Sequence, residues 1–184
     1  MYKPEEGGVC MKNTEMNIER IEECSIIKIE LEQYRENVWI KASLMLDGKE
    51  LAKCKIYSCD RVMTEEELWI FFDEIEGVAS SHFEIIAENK PYIIDRMQNT
   101  RFAYLTSLSV PSELRNKGIG TIFMDKLTDY FIFMRIGELY IVSAIYDDNE
   151  EHGRNESFYL RNGFLIVSET EDITDGKMMI KLLF

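Results

Sequence analysis

The residues best suited to chemistry lie together in the stretch Val110-Pro111-Ser112-Glu113-Leu114-Arg115-Asn116-Lys117-Gly118-Ile119-Gly120. An apolar run ends at Val110, and Pro111 stops it. Two glycines then lead into a segment with apolar residues at helical spacing: Ile119, Ile122, Phe123, Leu127, Phe131 and Met134. A loop that feeds a helix in this way leaves the first backbone N–H groups without acceptors, all pointing one way. The helix dipole adds partial positive charge, and such a place binds phosphate. Gly118 and Gly120 are expected to let an anion approach with no Cβ in the way. Arg115 and Lys117 are expected to add cationic donors. The pattern lacks the GxxxxGK[ST] of a nucleotide P-loop, and the third glycine and preceding first strand of a dinucleotide fingerprint. By itself R-x-x-G-x-G also suits a helix N-terminus that binds nothing.

Other chemistries have less support. The cysteines, Cys10, Cys24, Cys54 and Cys59, form no CxxC pair, and His82 and His152 are isolated. Reduced, mostly buried thiols are expected, with no metal site. With 34 acidic and 21 basic residues the net charge is −13. Affinity for DNA, RNA or an anionic membrane rests on Lys and Arg neutralising phosphates, so no nucleic-acid or membrane partner is expected. The negative field favours cationic small molecules or basic proteins. Only this charge supports a third reading, an acidic interaction protein that imitates nucleic acid. No apolar run approaches the ~20 residues of a membrane span, and Met1–Asn17 is polar, without a signal-peptide core. A cytoplasmic protein is expected, as a monomer or homodimer.

The elements that must position the loop follow from periodicity. A chain of 184 residues suits one domain and buries roughly 70% of its unfolded surface without a staple. Residues 1–20 read as a loose lead-in and 21–184 as a single domain. Ser25–Glu32 alternates as a strand. Asn37–Leu46 and Glu50–Ser58 flank Asp47-Gly48-Lys49, a hairpin signal. Thr64 and Glu67 make a capping box ahead of Leu68, Phe71, Phe72 and Ile75. A second helix, about Ala79–Asn89, is expected to stop before Pro91. Arg101–Val110 is a strand, Gly118–Arg135 an amphipathic helix ending before Gly137, and Leu139–Tyr146 a strand buried on both faces. A short helix over Asn155–Asn162 closes at Gly163. Phe164–Glu169 and Lys177–Leu183 are final strands. Strands alternating with single helices imply an α/β fold (α+β by some schemes) with a partly parallel sheet.

Val110-Pro111 followed by Arg115-x-x-Gly118-x-Gly120 resembles the pyrophosphate-binding motif of the GNAT superfamily of acyl-CoA-dependent N-acyltransferases. Phe158-Tyr159-Leu160-Arg161-Asn162-Gly163-Phe164 resembles that family's later FYxxxGF element, and the order of elements over residues 101–184 is similar too. The resemblance implies a mixed central sheet, flanked by helices and splayed between the strands at 101–110 and 138–146. It makes residues 101–184 the CoA-binding and catalytic half, and 21–100 the variable acceptor side. Acetyl-CoA would be the donor. Its pantetheine would run along Leu108, Ser109 and Val110, and its diphosphate would rest on Arg115, Asn116, Lys117, Gly118, Ile119, Gly120 and Thr121. The Val110 N–H would hold the oxyanion. Tyr159 matches the family tyrosine that protonates the leaving thiolate, and a phenol of reference pKa ~10 is suited to that. The amine would enter from the opposite side and attack the thioester directly.

Several positions depart from the family pattern. Where relatives carry a strand carboxylate, six residues before Val110, this chain has Tyr104, and Thr106 and Ser107 could at best order a water. Asn155 stands four residues before Tyr159, where relatives place an asparagine seven before. It reads as a helix N-cap or a pantetheine contact, and His152 as a loop histidine. Asp147-Asp148-Asn149-Glu150-Glu151 is either a solvated loop or an attractor for a cationic amine. Relatives usually place two helices between the first two strands, whereas here the helical stretches follow the hairpin. The implied function is an N-acetyltransferase acting on an amine. The alternative is a non-catalytic module that keeps the fold and CoA site as a sensor or scaffold.

Overall fold

The structure, a computed structural model, describes residues 18–34, 37–59, 61–75, 77–144, 154–169 and 177–183. A seven-stranded mixed sheet runs in the order β1-β2-β3-β4-β5-β7-β6. Its strands are β1 (Ile26–Tyr34), β2 (Asn37–Leu46), β3 (Lys49–Cys59), β4 (Phe102–Ser109), β5 (Leu139–Ala144), β6 (Leu165–Glu169) and β7 (Lys177–Leu182). Among the described residues, only β4 and β5 pair in parallel. The hairpin between β2 and β3 turns on Asp47 and Gly48, both at positive φ (51° and 76°), as a two-residue turn matched to strand twist requires.

The helices are α1 (Ile18–Cys24), α2 (Glu65–Ile75), α3 (Gly77–Asn89), α4 (Pro91–Asn99), α5 (Ile119–Met134) and α6 (Arg154–Arg161). The capping box forms as expected. The Thr64 N–H donates to Glu67 Oε2 at 2.8 Å, and the Glu67 N–H donates to Thr64 Oγ1 at 3.3 Å. The Thr64 N–H, followed by the Arg61 guanidinium, holds the Glu67 carboxyl down at about 2.

Three differences from the sequence reading have physical causes. Pro91 opens a helix instead of only ending one, because a proline at the first helical turn forfeits no hydrogen bond. Helix α1 begins at Ile18, within the stretch read as lead-in, and buries only Ile21, too little for periodicity to reveal. Helix α5 ends through Arg135, which takes the left-handed conformation (φ 51°) expected of a glycine. The Ile136 N–H then reaches the Phe131 carbonyl at 3.1 Å.

The sheet has a core on each face. On one, α1 and α5 cover Ile40, Ala42, Leu44, Cys54, Ile56, Leu105, Tyr140 and Val142. On the other, α2, α3 and α4 lie over Tyr57, Phe102, Tyr104, Ile141 and Met178. The second core is largely aromatic. Phe71 meets Tyr57 at 4.7 Å and Phe102 at 5.3 Å, edge to face, the arrangement ring quadrupoles favour. These three helices enter between β3 and β4, so their place after the hairpin is a real rearrangement.

Candidate functional site

Strand β4 carries one residue too many for its neighbour. In its antiparallel ladder with β3, Ser107 faces Lys55 and Leu105 faces Ile56, which leaves Thr106 as a bulge. Its Oγ1 donates to the Lys55 carbonyl at 3.1 Å. A bulge bends its strand and breaks local pairing. The parallel ladder to β5 stops at the same point: it runs from Phe102–Leu139 to Leu105–Val142 and no further, although β4 continues to Ser109 and β5 to Ala144. The carboxyl half of β4 therefore has an open edge toward β5, the gap expected between the strands at 101–110 and 138–146.

The bulge also resets which way side chains point. Before it, Ala103 and Leu105 face the α5 core; after it, Leu108 and Val110 do. Ser107 and Ser109 face the other way and are exposed. Tyr104 lies on that other face, fully buried, with Phe71 and Phe72 at 6.3 and 5.9 Å. It is a core residue. The Thr106 hydroxyl is engaged within the bulge.

From Val110 the chain turns through Pro111 and a single 3-10 turn, Ser112–Leu114. Asn116 (φ 60°) and Gly118 (φ 74°) are left-handed, and α5 begins. The Leu114 N–H donates to Pro111, the Arg115 N–H to Ser112, and the next described amide bond is Ile122 to Gly118 at 3.1 Å. No described acceptor meets the six successive amides Asn116–Thr121, and Gly118 supplies no side-chain cap. Asn116, Lys117, Gly118 and Thr121 are exposed, Gly120 is half-buried, and Ile119 anchors the turn in the core. The cradle is thus neither capped from within nor closed to solvent, and it fits an anionic diphosphate on both counts.

The two glycines have different reasons. A Cβ at Gly118 would meet nothing within 4 Å, so the positive φ is what requires glycine. A Cβ at Gly120 would stand 3.0 Å from Phe158 Cε2. Gly120 is therefore small to admit the Phe158 ring, a reason for glycine that the sequence reading did not include. Arg115 is exposed, but its Nε donates to the Val110 carbonyl at 3.0 Å. It braces the turn between the strand end and the cradle.

Phe158 and Tyr159 lie on α6, whose end explains the FYxxxGF spacing. Gly163 is left-handed (φ 83°), its N–H donates to Leu160, and the Phe164 N–H donates to Tyr159, both at 3.1 Å. In this cap the residue after the glycine packs on the helix's last turn. Here Phe164 meets the Tyr159 ring at 5.4 Å. Tyr159 is 8% exposed. Burial, and to a lesser degree nearby Cys54, push its hydroxyl well above the usual phenol range. It holds its proton at neutral pH. Helix α6 starts at Arg154, so Asn155 is an exposed residue of its first turn and not its N-cap.

The structure thus gathers Leu108, Ser109, Val110 and Arg115–Thr121 at one end of the sheet, with Phe158 joining them to Tyr159. The sequence assigns Phe158 no role, and the Thr106 bulge leaves no signal in residue types. His152 and the acidic segment 147–151 lie outside the described residues. Among the described residues no group of His, Cys, Asp and Glu could hold a metal, and no helix is long and apolar enough to cross a membrane.

A family model described as the acetyltransferase (GNAT) family matches residues 33–164. No curated protein matches. Among solved structures, the polyamine N-acetyltransferase of Drosophila melanogaster is similar at 12% identity and TM-score 0.50, over 78% of this chain and 74% of that one. The ribosomal-protein-S18-alanine N-acetyltransferase of Escherichia coli matches at 12% and 0.45, over 82% and 72%. Arylalkylamine N-acetyltransferase 2 of Aedes aegypti matches at 16% and 0.48, over 79% and 73%. At such identities the likeness is one of fold.

Proposed function

The chain belongs to the acetyltransferase (GNAT) family, and on that premise we propose that it transfers acetyl from acetyl-CoA to an amine. The observation that carries this reading is the run of six open amides, Asn116–Thr121, beside a strand whose ladder to its neighbour stops short. The amides and the α5 dipole would bind the diphosphate. The open edge of β4 at Leu108, Ser109 and Val110 would pair with the amides of the pantetheine arm.

When bound, acetyl-CoA supplies an activated thioester, whose carbonyl carbon bonds the amine nitrogen as the C–S bond breaks and CoA leaves as thiolate. The Val110 N–H, just past the end of β4, would donate to the carbonyl oxygen as negative charge develops there. Tyr159, kept protonated by burial, would return a proton to the departing sulfur. No carboxylate occupies β4, so the amine must arrive neutral or lose its proton through water.

Titration with acetyl-CoA tests the reading. Saturable binding is expected, and Arg115→Glu combined with Gly120→Trp should abolish it. No binding at millimolar acetyl-CoA would refute the proposal. The burial of Tyr104 where relatives carry a carboxylate favours a second reading, a CoA-binding sensor or scaffold, which predicts binding without turnover of any amine.

A further inference from the structure

Residues in register across a sheet share a face. On the face opposite α5, Tyr104 is level with Tyr57 and Trp39, Ser107 with Lys55 and Lys41, and Ser109 with Lys53 and Ser43. Strand β1 extends these rows with Glu32, Glu30 and Lys28. The helices cover only the first row. Tyr57 and Tyr104 are buried and Trp39 is half-buried, but Ser107, Ser109, Lys41 and Lys53 are exposed. This bare surface adjoins the stretch of β4 that has lost its β5 partner.

Charge on it is unevenly placed. The carboxylates lie away from β4, and each has a lysine: Glu30 with Lys28 at 2.7 Å, Glu32 with Lys41 at 2.8 Å, Glu50 with Lys53 at 3.7 Å. Lys55 stands instead on an aromatic ring, its Nζ 3.9 Å from the centroid of Trp39. Tyr57 buttresses that ring edge-on at 4.9 Å. The two residues of β3 that flank Ser107 and Ser109 are thus both lysines, in a chain of net charge −13. On the acetyl transfer proposed above, a donor held on the α5 side and threaded through the gap would present its acetyl group to this surface. We propose that the acceptor is an amine that also bears a carboxylate, received by Lys55 with Lys53 beside it. The inference rests on the acetyl transfer proposed above. A polycationic amine would instead meet the Lys55 ammonium, with Lys53, itself paired with Glu50, beside it.

The test uses the full chain with acetyl-CoA and acceptors matched in length but differing in end group. One set is γ-aminobutyrate, its amide and putrescine; another is Gly-Glu, Gly-Gln and Gly-Lys. The carboxylate member should lead its set in kcat/KM by about tenfold, the usual scale of one hydrogen bond to a charged group. Lys55→Gln should remove that lead and Lys55→Arg keep it. Lys28→Gln, on the outer strand, should leave the order unchanged. An ammonium member in the lead, or a Lys55→Gln loss equal for all three end groups, would overturn the inference while acetyl transfer stood. Acetyl-CoA binding with no turnover of either set would overturn both.

Discussion

The contact between Gly120 and Phe158 ties the diphosphate cradle to the helix that carries Tyr159, and it can be broken by one methyl group. In Gly120→Ala the new Cβ would lie 3.0 Å from Phe158 Cε2 and 3.3 Å from Cζ, several tenths of an ångström inside ordinary contact. The ring has little room to yield. It meets Tyr159 edge-on at 5.1 Å, and α6 is fixed at its far end by the Gly163 cap and along its side by the Glu156–Lys177 ion pair at 3.1 Å. Overpacking of this kind costs about 1–3 kcal/mol, offset by up to ~1 kcal/mol from replacing a helical glycine. The net loss of stability should be about 0–3 kcal/mol, with a larger effect on acetyl-CoA affinity and kcat because both sides of the site must shift. Phe158→Leu, made in the same chain, removes the colliding atoms and should restore part of both. Gly118→Ala is the contrast. Its Cβ has open space, so it should cost only the ~1–2 kcal/mol of a left-handed non-glycine residue, and Phe158→Leu should not rescue it. Isothermal titration with acetyl-CoA and urea denaturation of the three single and two double variants complete the two cycles. If Gly120→Ala and Phe158→Leu add within ~0.5 kcal/mol, the two motifs are not coupled and the reasoning fails.

Two further outcomes follow from buried hydroxyl and thiol groups. Tyr159→Phe keeps the ring against Phe164 and should leave acetyl-CoA affinity and stability nearly unchanged while kcat falls; an unchanged kcat would strip Tyr159 of its acid role. Burial pushes the Cys54 thiol up to about 12, well above the usual thiol range. The folded state therefore keeps a proton that the unfolded chain releases, so stability should fall as pH rises through that window, by at most about 1.4 kcal/mol per pH unit for this group. Cys54→Ala should flatten the fall in urea midpoint measured from pH 8 to 11, and parallel curves for the two proteins would remove the cause assigned here.

Legibility in the sequence tracked how local each cause was. The hairpin, the capping box and the C-terminal end of α6 depend on two to six neighbouring residues, and their types announced them. The cradle was legible because a glycine at positive φ and an uncapped helix start are both local. Helix α1 was not, since one buried isoleucine makes no period. Arg135 escaped notice because its left-handed conformation is imposed by Ile136 packing back onto the core, a tertiary effect. The roles of Gly120 and Lys55 were hidden for the same reason. One depends on a ring 38 positions on, the other on an indole across the sheet.

The bulge at Thr106 does more than end a ladder. Side chains alternate along a strand, so one extra residue exchanges the faces of everything after it. Without it, Ser107 and Ser109 would turn into the α5 core, and Leu108 and Val110 would stand on the bare face beside Lys55. Two hydroxyls would then be buried under α5, and two apolar side chains would be stranded in water. With it, Leu108 and Val110 anchor the strand end beneath the cradle, while Ser107 and Ser109 are exposed on the opposite face. On the proposed function, the same inserted residue would open the edge for the donor and set the polarity of the acceptor's approach. Deleting Thr106 should abolish acetyl-CoA binding more completely than any single substitution in the cradle, because it restores pairing where the donor must enter.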